Sequence, residues 1–147
     1  MFSPSDLNHD TQNSMKYFIG LLALFLSSCQ RNEAHYFYEQ GNEAYISQDY
    51  ASSLDFLNKA IQLKPDFATA YYTRGNAYYS VGNYAKAIAD YSSAIKYNPD
   101  YAISYRFRGV VKCSTGDTLG ALNDWQAAIR LGDNRARHFL SSCRKHR

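Results

Sequence analysis

The 147-residue chain predicts an all-α fold, an α-solenoid of three helical hairpins closed by a capping helix at the C-terminus. Three observations predict it. The chain resembles itself when shifted so that Gly41 falls on Gly75 and Gly75 on Gly109, and turn-forming residues fall between apolar segments at that same spacing. Its apolar content also leans on 14 tyrosines and 8 phenylalanines, large rings that fill a core among small residues at helical spacing.

The N-terminal part is read as an address rather than as fold. Residues 1–14 are polar, contain Asp6 and Asp10 and carry no cation. They are expected to be a disordered extension or a misassigned start, with translation beginning at Met15. Met15-Lys16 then opens ten mostly apolar residues, Tyr17 to Leu26, followed by Ser27, Ser28 and Cys29. One cation, a short apolar run and small residues before a break make a secretory signal. The run is well short of the ~20 residues that span a bilayer. The alternative is a soluble protein with an apolar helix at 17–26 buried in its core.

Leu26-Ser27-Ser28-Cys29 resembles the lipobox of bacterial lipoproteins. That resemblance implies a signal peptide at 15–28, a diacylglyceryl thioether on Cys29, cleavage before it and acylation (palmitate among the chains) of the new amine. Two or three acyl chains anchor stably where one is marginal, at ~0.8 kcal/mol per buried methylene. Residues 29–33 then form a short tether. Gln30 stands where an aspartate would resemble an inner-membrane retention signal, so the expected location is the outer membrane, on its periplasmic or surface side.

The repeat begins at Ala34. The shift that superposes Gly41, Gly75 and Gly109 also superposes Ala60, Ala94 and Ala128; Leu54, Ile88 and Leu122; and Phe37, Tyr71 and Tyr105. Pro65 and Pro99 align, with Asp133 in the third place. These columns resemble the tetratricopeptide repeat. The middle unit matches it best, with Tyr71, Gly75, Tyr78, Gly82-Asn83-Tyr84, Ala87, Tyr91, Ala94 and Pro99. The first unit has Ser53 where alanine is usual, and the third has Lys112 in a tyrosine column and no proline. The units span 34–67, 68–101 and 102–133, and 134–147 is read as a capping helix with a basic tail.

Helices are predicted near 34–47, 50–63, 68–81, 84–97, 102–115 and 118–131, with a seventh from about 134 to 144. A mid-helix glycine costs ~0.5–1 kcal/mol relative to alanine, so three in register imply close helix approach. Gly82-Asn83 and Gly116-Asp117 end one helix and cap the next, and Gln48-Asp49 does so less well for want of glycine. Pro65 and Pro99 stop the second helix of their units. The last helix has few apolar positions (Ala136, Phe139, Leu140, Cys143), as a terminal cap needs.

By resemblance, the first helices of the hairpins line a concave face. The residues placed on it are Tyr38, Asn42 and Tyr45, then Tyr72, Asn76 and Tyr79, then Arg106 with Val110 and Cys113. Spacing of i, i+4, i+7 keeps each triplet on one stripe. Amides bond an extended peptide's backbone, tyrosines give flat contact at low entropy cost, and Arg106 would pair a carboxylate. Family members that clamp chaperone C-termini use asparagines and cations. Tyr38 and Val110 stand where that clamp needs polar or basic groups, and an envelope location removes such partners.

Cys113 and Cys143 are candidates for a disulfide in an oxidising envelope, or else two buried small side chains. His9, His35, His138 and His146 show no metal-ligand spacing, and no phosphate loop or nucleophile motif occurs. Asp55, Asp90 and Asp124, in neighbouring columns of the second helices, read as repeated surface carboxylates. No enzyme activity, cofactor or nucleic-acid partner is expected. From Ala102 onward nine basic residues face three acidic ones, whereas Cys29 to Tyr101 holds six and eight. The expected function is a lipid-anchored envelope scaffold that binds a peptide or helix of an envelope partner. The alternative is a module contacting anionic membrane or glycolipid through its basic C-terminal face.

Overall fold

The structure is a computed structural model that describes residues 4–142, with side-chain surroundings for 14–22 and 32–140. Its elements in chain order are α1 (Pro4–Ile46), α2 (Tyr50–Leu63), α3 (Ala68–Ser80), α4 (Tyr84–Tyr97), α5 (Ala102–Ser114) and α6 (Thr118–Arg130). A single 3-10 turn (Asn134–Ala136) and α7 (Arg137–Ser142) follow. Among the described residues there is no strand. The packed end of α1 pairs with α2, α3 with α4 and α5 with α6, and the pairs stack through α2 on α3 and α4 on α5. The predicted all-α solenoid of three hairpins and a cap is what forms.

Two boundaries differ from the sequence expectation. The first helix starts at Pro4 rather than near 34, so residues 29–33, expected as a tether, continue α1. The final element is a 3-10 turn and a six-residue helix rather than one helix, and Cys143 with the basic tail lies outside the described residues. Among the described residues, no helix is long and apolar enough to cross a membrane. Met15, Tyr17, Phe18, Ile19, Leu21 and Leu22 of α1 are all more than half exposed.

The turns inside the hairpins share one hydrogen-bond pattern. Gly82 donates to the Tyr79 carbonyl at 3.0 Å and Asn83 to Tyr78 at 2.8 Å; Gly116 and Asp117 do the same to Cys113 and Lys112. This closure needs a left-handed residue, and Gly82 and Gly116 supply it at φ 77° and 90°. Gln48 must take φ 63° in the first unit, where no glycine is available. The caps follow: Asp49, Asn83 and Asp117 accept from the amides of Ser52, Lys86 and Gly120.

Exits from the second helices use a different device. Lys64 and Asn98 are extended, at φ −136° and −139°, because each precedes a proline. The third unit has no proline and closes instead with Gly132 at φ 95°.

The three registered glycines each face a large side chain. A Cβ on Gly41 would lie 2.7 Å from Leu57 Cγ, on Gly75 2.8 Å from Tyr91 Cε1, and on Gly109 2.6 Å from Trp125 Nε1. Leu57, Tyr91 and Trp125 are almost completely buried and themselves form one column of the repeat. Glycine in one column therefore makes room for the bulky column opposite. Ser53, in a column otherwise filled by alanine, is fully buried and donates its hydroxyl to the Gly41 carbonyl at 2.8 Å.

Candidate functional site

The face that α1, α3 and α5 share carries most of the residues expected there. Tyr38, Asn42, Tyr45, Tyr72 and Tyr79 are all half-buried, so each rests on the core and shows part of itself to solvent. Tyr72 sits at the centre, with ring centroids 6.0 Å from Tyr91, 5.4 Å from Tyr101 and 5.8 Å from Phe107. Tyr38 packs on Phe67 at 5.1 Å, and Tyr79 on Tyr84 at 5.8 Å. The array is an aromatic wall rather than three separate stripes.

Two of the expected contact residues are spoken for. Asn76 is buried, and its Oδ1 accepts from the Tyr91 hydroxyl at 2.7 Å. Burial pushes the Tyr72 phenol up from its ordinary pKa, and a side-chain contact with Asn76 works against that rise. Asn42 is in the same column but stands opposite Leu57, which has no hydroxyl, and stays half-exposed. Arg106 is also buried. Its Nε donates to Asp133 Oδ2 at 2.6 Å, and its guanidinium lies 4.4 Å from the Phe107 ring centre. The carboxylate expected from a ligand is supplied from within the chain.

Asp133 binds a second cation, Arg135, whose Nε donates to Oδ1 at 3.0 Å. The Arg135 side chain is 71% exposed and lies near enough to Tyr72 to act on its charge. It is a cation that this end of the face presents to solvent. Burial alone would raise the Asp133 pKa, but the hydrogen bonds from Arg106 and Arg135 outweigh it and hold the carboxyl below the usual range. The phenols move the other way. Burial raises Tyr72 and Tyr91, and pushes Tyr101 to about 12, so at neutral pH these hydroxyls stay protonated donors.

Sequence reasoning missed Tyr101 and Arg135. The signal was present, because Phe67, Tyr101 and Arg135 occupy one column of the repeat and flank the 38, 72, 106 column. It also misread Asp90 and Asp124 as solvated. Both are buried: Arg74 Nε and Nη2 donate to Asp90 at 2.8 and 2.7 Å, and the same atoms of Arg108 to Asp124 at 2.9 and 2.7 Å. The third nitrogen crosses to the preceding hairpin, from Arg74 to Asn58 and from Arg108 to Ser92. These forks clasp neighbouring repeats and are absorbed by structure; Asp55 is exposed as expected.

Val110 and Cys113 are half-buried in the third unit's part of the face. Cys113 is disulfide-bonded, and its expected partner, Cys143, lies outside the described residues. Cys29 belongs to α1 by its backbone alone. Among the described residues no cluster of three or more His, Cys, Asp or Glu is arranged to hold a metal.

Comparison with known proteins agrees with this geometry. Residues 68–101 match the tetratricopeptide repeat model and residues 41–82 a second model described as TPR repeat. The Arabidopsis OM64 TPR domain superposes with a TM-score of 0.77 at 24% identity, covering 80% of this chain and 99% of that one. The first TPR of Spaghetti (RPAP3), bound to the HSP90 peptide SRMEEVD, gives 0.75 at 22% identity, covering 78% and 92%. The TPR2B domain of yeast Sti1, in a pHsp70 complex, gives 0.73 at 20%, covering 78% and 98%. No curated protein matches the chain. Residues 41–101 thus match tetratricopeptide repeat models, and the fold of the chain is that of a TPR domain.

Proposed function

Because the chain carries these repeats, we propose that it is a non-enzymatic scaffold of the bacterial envelope, lipid-anchored through Cys29, that binds a peptide or helix of an envelope protein. The binding surface is the face shared by α1, α3 and α5. One observation carries this reading: a row of tyrosines stays half-exposed on that face, while Tyr91 packed against it is fully buried. Tyrosine gives flat contact area and a hydroxyl donor with few torsions to freeze. The open Asn42 amide and the solvent-facing Arg135 supply polar ends, so an extended segment with an acidic group toward the α7 end fits best. The RPAP3 domain bound to an HSP90 peptide and the Sti1 domain in its pHsp70 complex lend the proposal support at the level of binding class.

The anchor rests on the sequence Leu26-Ser27-Ser28-Cys29 at the end of an apolar run. Its acyl chains would hold the scaffold on a membrane, by preference the outer one. Capture from crosslinked intact membranes tests the binding surface. Tyr45→Ala with Tyr79→Ala, which spares the buried Tyr91–Asn76 pair, is expected to lose the captured partner while the helical spectrum is unchanged. Retention of every partner by that folded variant would remove the face from the proposal. A mass for the Cys29 peptide without added acyl chains would remove the anchor.

A further inference from the structure

The two ends of the helical stack differ in charge, and the end from which α1 leaves is the cationic one. Ala34, a fully buried residue near the start of the packed part of α1, packs with Phe67 of the α2–α3 turn, and the His35 and Phe67 rings lie 4.7 Å apart. Helices alternate in direction, so the α4–α5 turn and the segment after α6 share this edge; Tyr101, Leu131 and Arg135 line one shallow pocket there. The cations on the edge are Lys64, Lys96, Arg130, Arg135 and Arg137, against the exposed carboxylates Glu33, Asp66 and Asp100. Asp133 is buried between two arginines and offers no free charge. Tyr36, Tyr97 and Leu131 are exposed among them, at 59%, 39% and 37%.

The opposite edge has the reverse sign. Its turns, at 47–49, 81–83 and 115–117, carry Asp49 and Asp117 with Glu43 nearby, and among the described residues one exposed cation, Lys86. Lys112 lies near that turn in sequence, but its ammonium is bound to Asp124 at 2.9 Å.

The helix leaves little slack between the cationic edge and the anchor. Residues 29–33 continue α1 without a break, so Cys29 stands only five helical residues from Ala34. At 1.5 Å rise per residue that is about 7.5 Å, within the ~8–10 Å over which exposed charges are felt in physiological salt.

We infer that the edge formed by the α2–α3 turn, the α4–α5 turn and the α6–α7 segment rests on an anionic lipid bilayer, with Lys64, Lys96, Arg130 and Arg137 against the headgroups, Arg135 at the corner shared with the tyrosine face, and Tyr36, Tyr97 and Leu131 at the interface. This rests on the lipid anchor proposed above and adds an orientation to it. The solenoid stands on its inter-hairpin turns, with the tyrosine face upright and open along the membrane, so the partner is met beside the bilayer. Tyrosine suits such a position because its ring is apolar and its hydroxyl wet, and anionic headgroups attract juxtamembrane lysine and arginine.

Hydrogen exchange on the full acylated chain tests this, in vesicles of phosphatidylcholine alone and in vesicles with roughly 30% phosphatidylglycerol. Amides at 97–101 and 131–135 are expected to exchange about threefold or more slowly on the anionic vesicles, and those at 81–83 and 115–117 to be unchanged. The triple variant Lys96→Glu, Arg130→Glu, Arg137→Glu, whose side chains are exposed, and separately ~0.5 M salt, should abolish the difference. An acylated Cys29 with equal exchange at both edges, or slowing that ignores phosphatidylglycerol, overturns the orientation and leaves the anchor standing. An unacylated Cys29 overturns the anchor and this inference with it.

Discussion

At the scale of residues, the fold depends on a match between columns of no side chain and columns of large ones. Gly75 leaves the space that the Tyr91 ring occupies, and Tyr91 then reaches Asn76 with its hydroxyl. The neighbouring units solve the same contact with Leu57 and Trp125, so the glycine is the common requirement and its opposite varies. Gly75→Ala would place a methyl 2.8 Å from Tyr91 Cε1, where a buried ring has no room to yield. The expected loss is about 1–3 kcal/mol, typical of overpacking, measured as the midpoint of chemical unfolding. A loss within experimental error would mean that the helices do not approach as closely as described.

At the scale of elements, the caps and the buried ions decide where helices stop and how they register. Prolines end α2 and α4 by making the preceding residue extended, whereas the last unit uses Gly132 and the doubly paired Asp133. The Asp133 carboxyl has a lowered pKa in the fold, so its contribution is present above the unfolded value of ~3.9. It is lost as pH falls through the lower folded value. Asp133→Asn should therefore destabilise at neutral pH and flatten the acid side of the stability profile below about pH 4. Thermal melts across that range check it, and an unchanged acid limb would show that another carboxylate dominates.

At the scale of the whole molecule, the outer side of the third hairpin is covered by the short elements that follow α6. Phe139 of α7 stacks on Trp125 at 5.5 Å, and Ala136 and Leu140 join the same cluster. In a repeat array each unit depends on its neighbours, so loosening the cap acts first on the third hairpin. Phe139→Ala is expected to cost roughly 1–3 kcal/mol, less than a fully buried ring because Phe139 is only partly covered. Trp125 is the one tryptophan, which gives a local probe. Its fluorescence should shift to the red at lower denaturant than the loss of helical signal. Coincident transitions would show that the three hairpins unfold as one unit.

What the sequence determined by itself was the period, and from it the number of hairpins, their turns and the glycine columns, because those depend on local backbone chemistry that recurs in each unit. Helical spacing also kept Tyr38 with Tyr45 and Tyr72 with Tyr79 on one stripe of their own helices, and only the family resemblance implied that the two stripes share a face. Tertiary structure alone decided which of the polar groups beside them were already engaged. Arg106 pairs with Asp133, Asn76 with Tyr91 and Arg74 with Asp90, each across a helix boundary. Each partner is chosen by how the helices cross, and no property of either residue alone announces the other. The candidate site was therefore legible as a surface, while its solvent-facing arginine became Arg135 only when packing had buried Arg106.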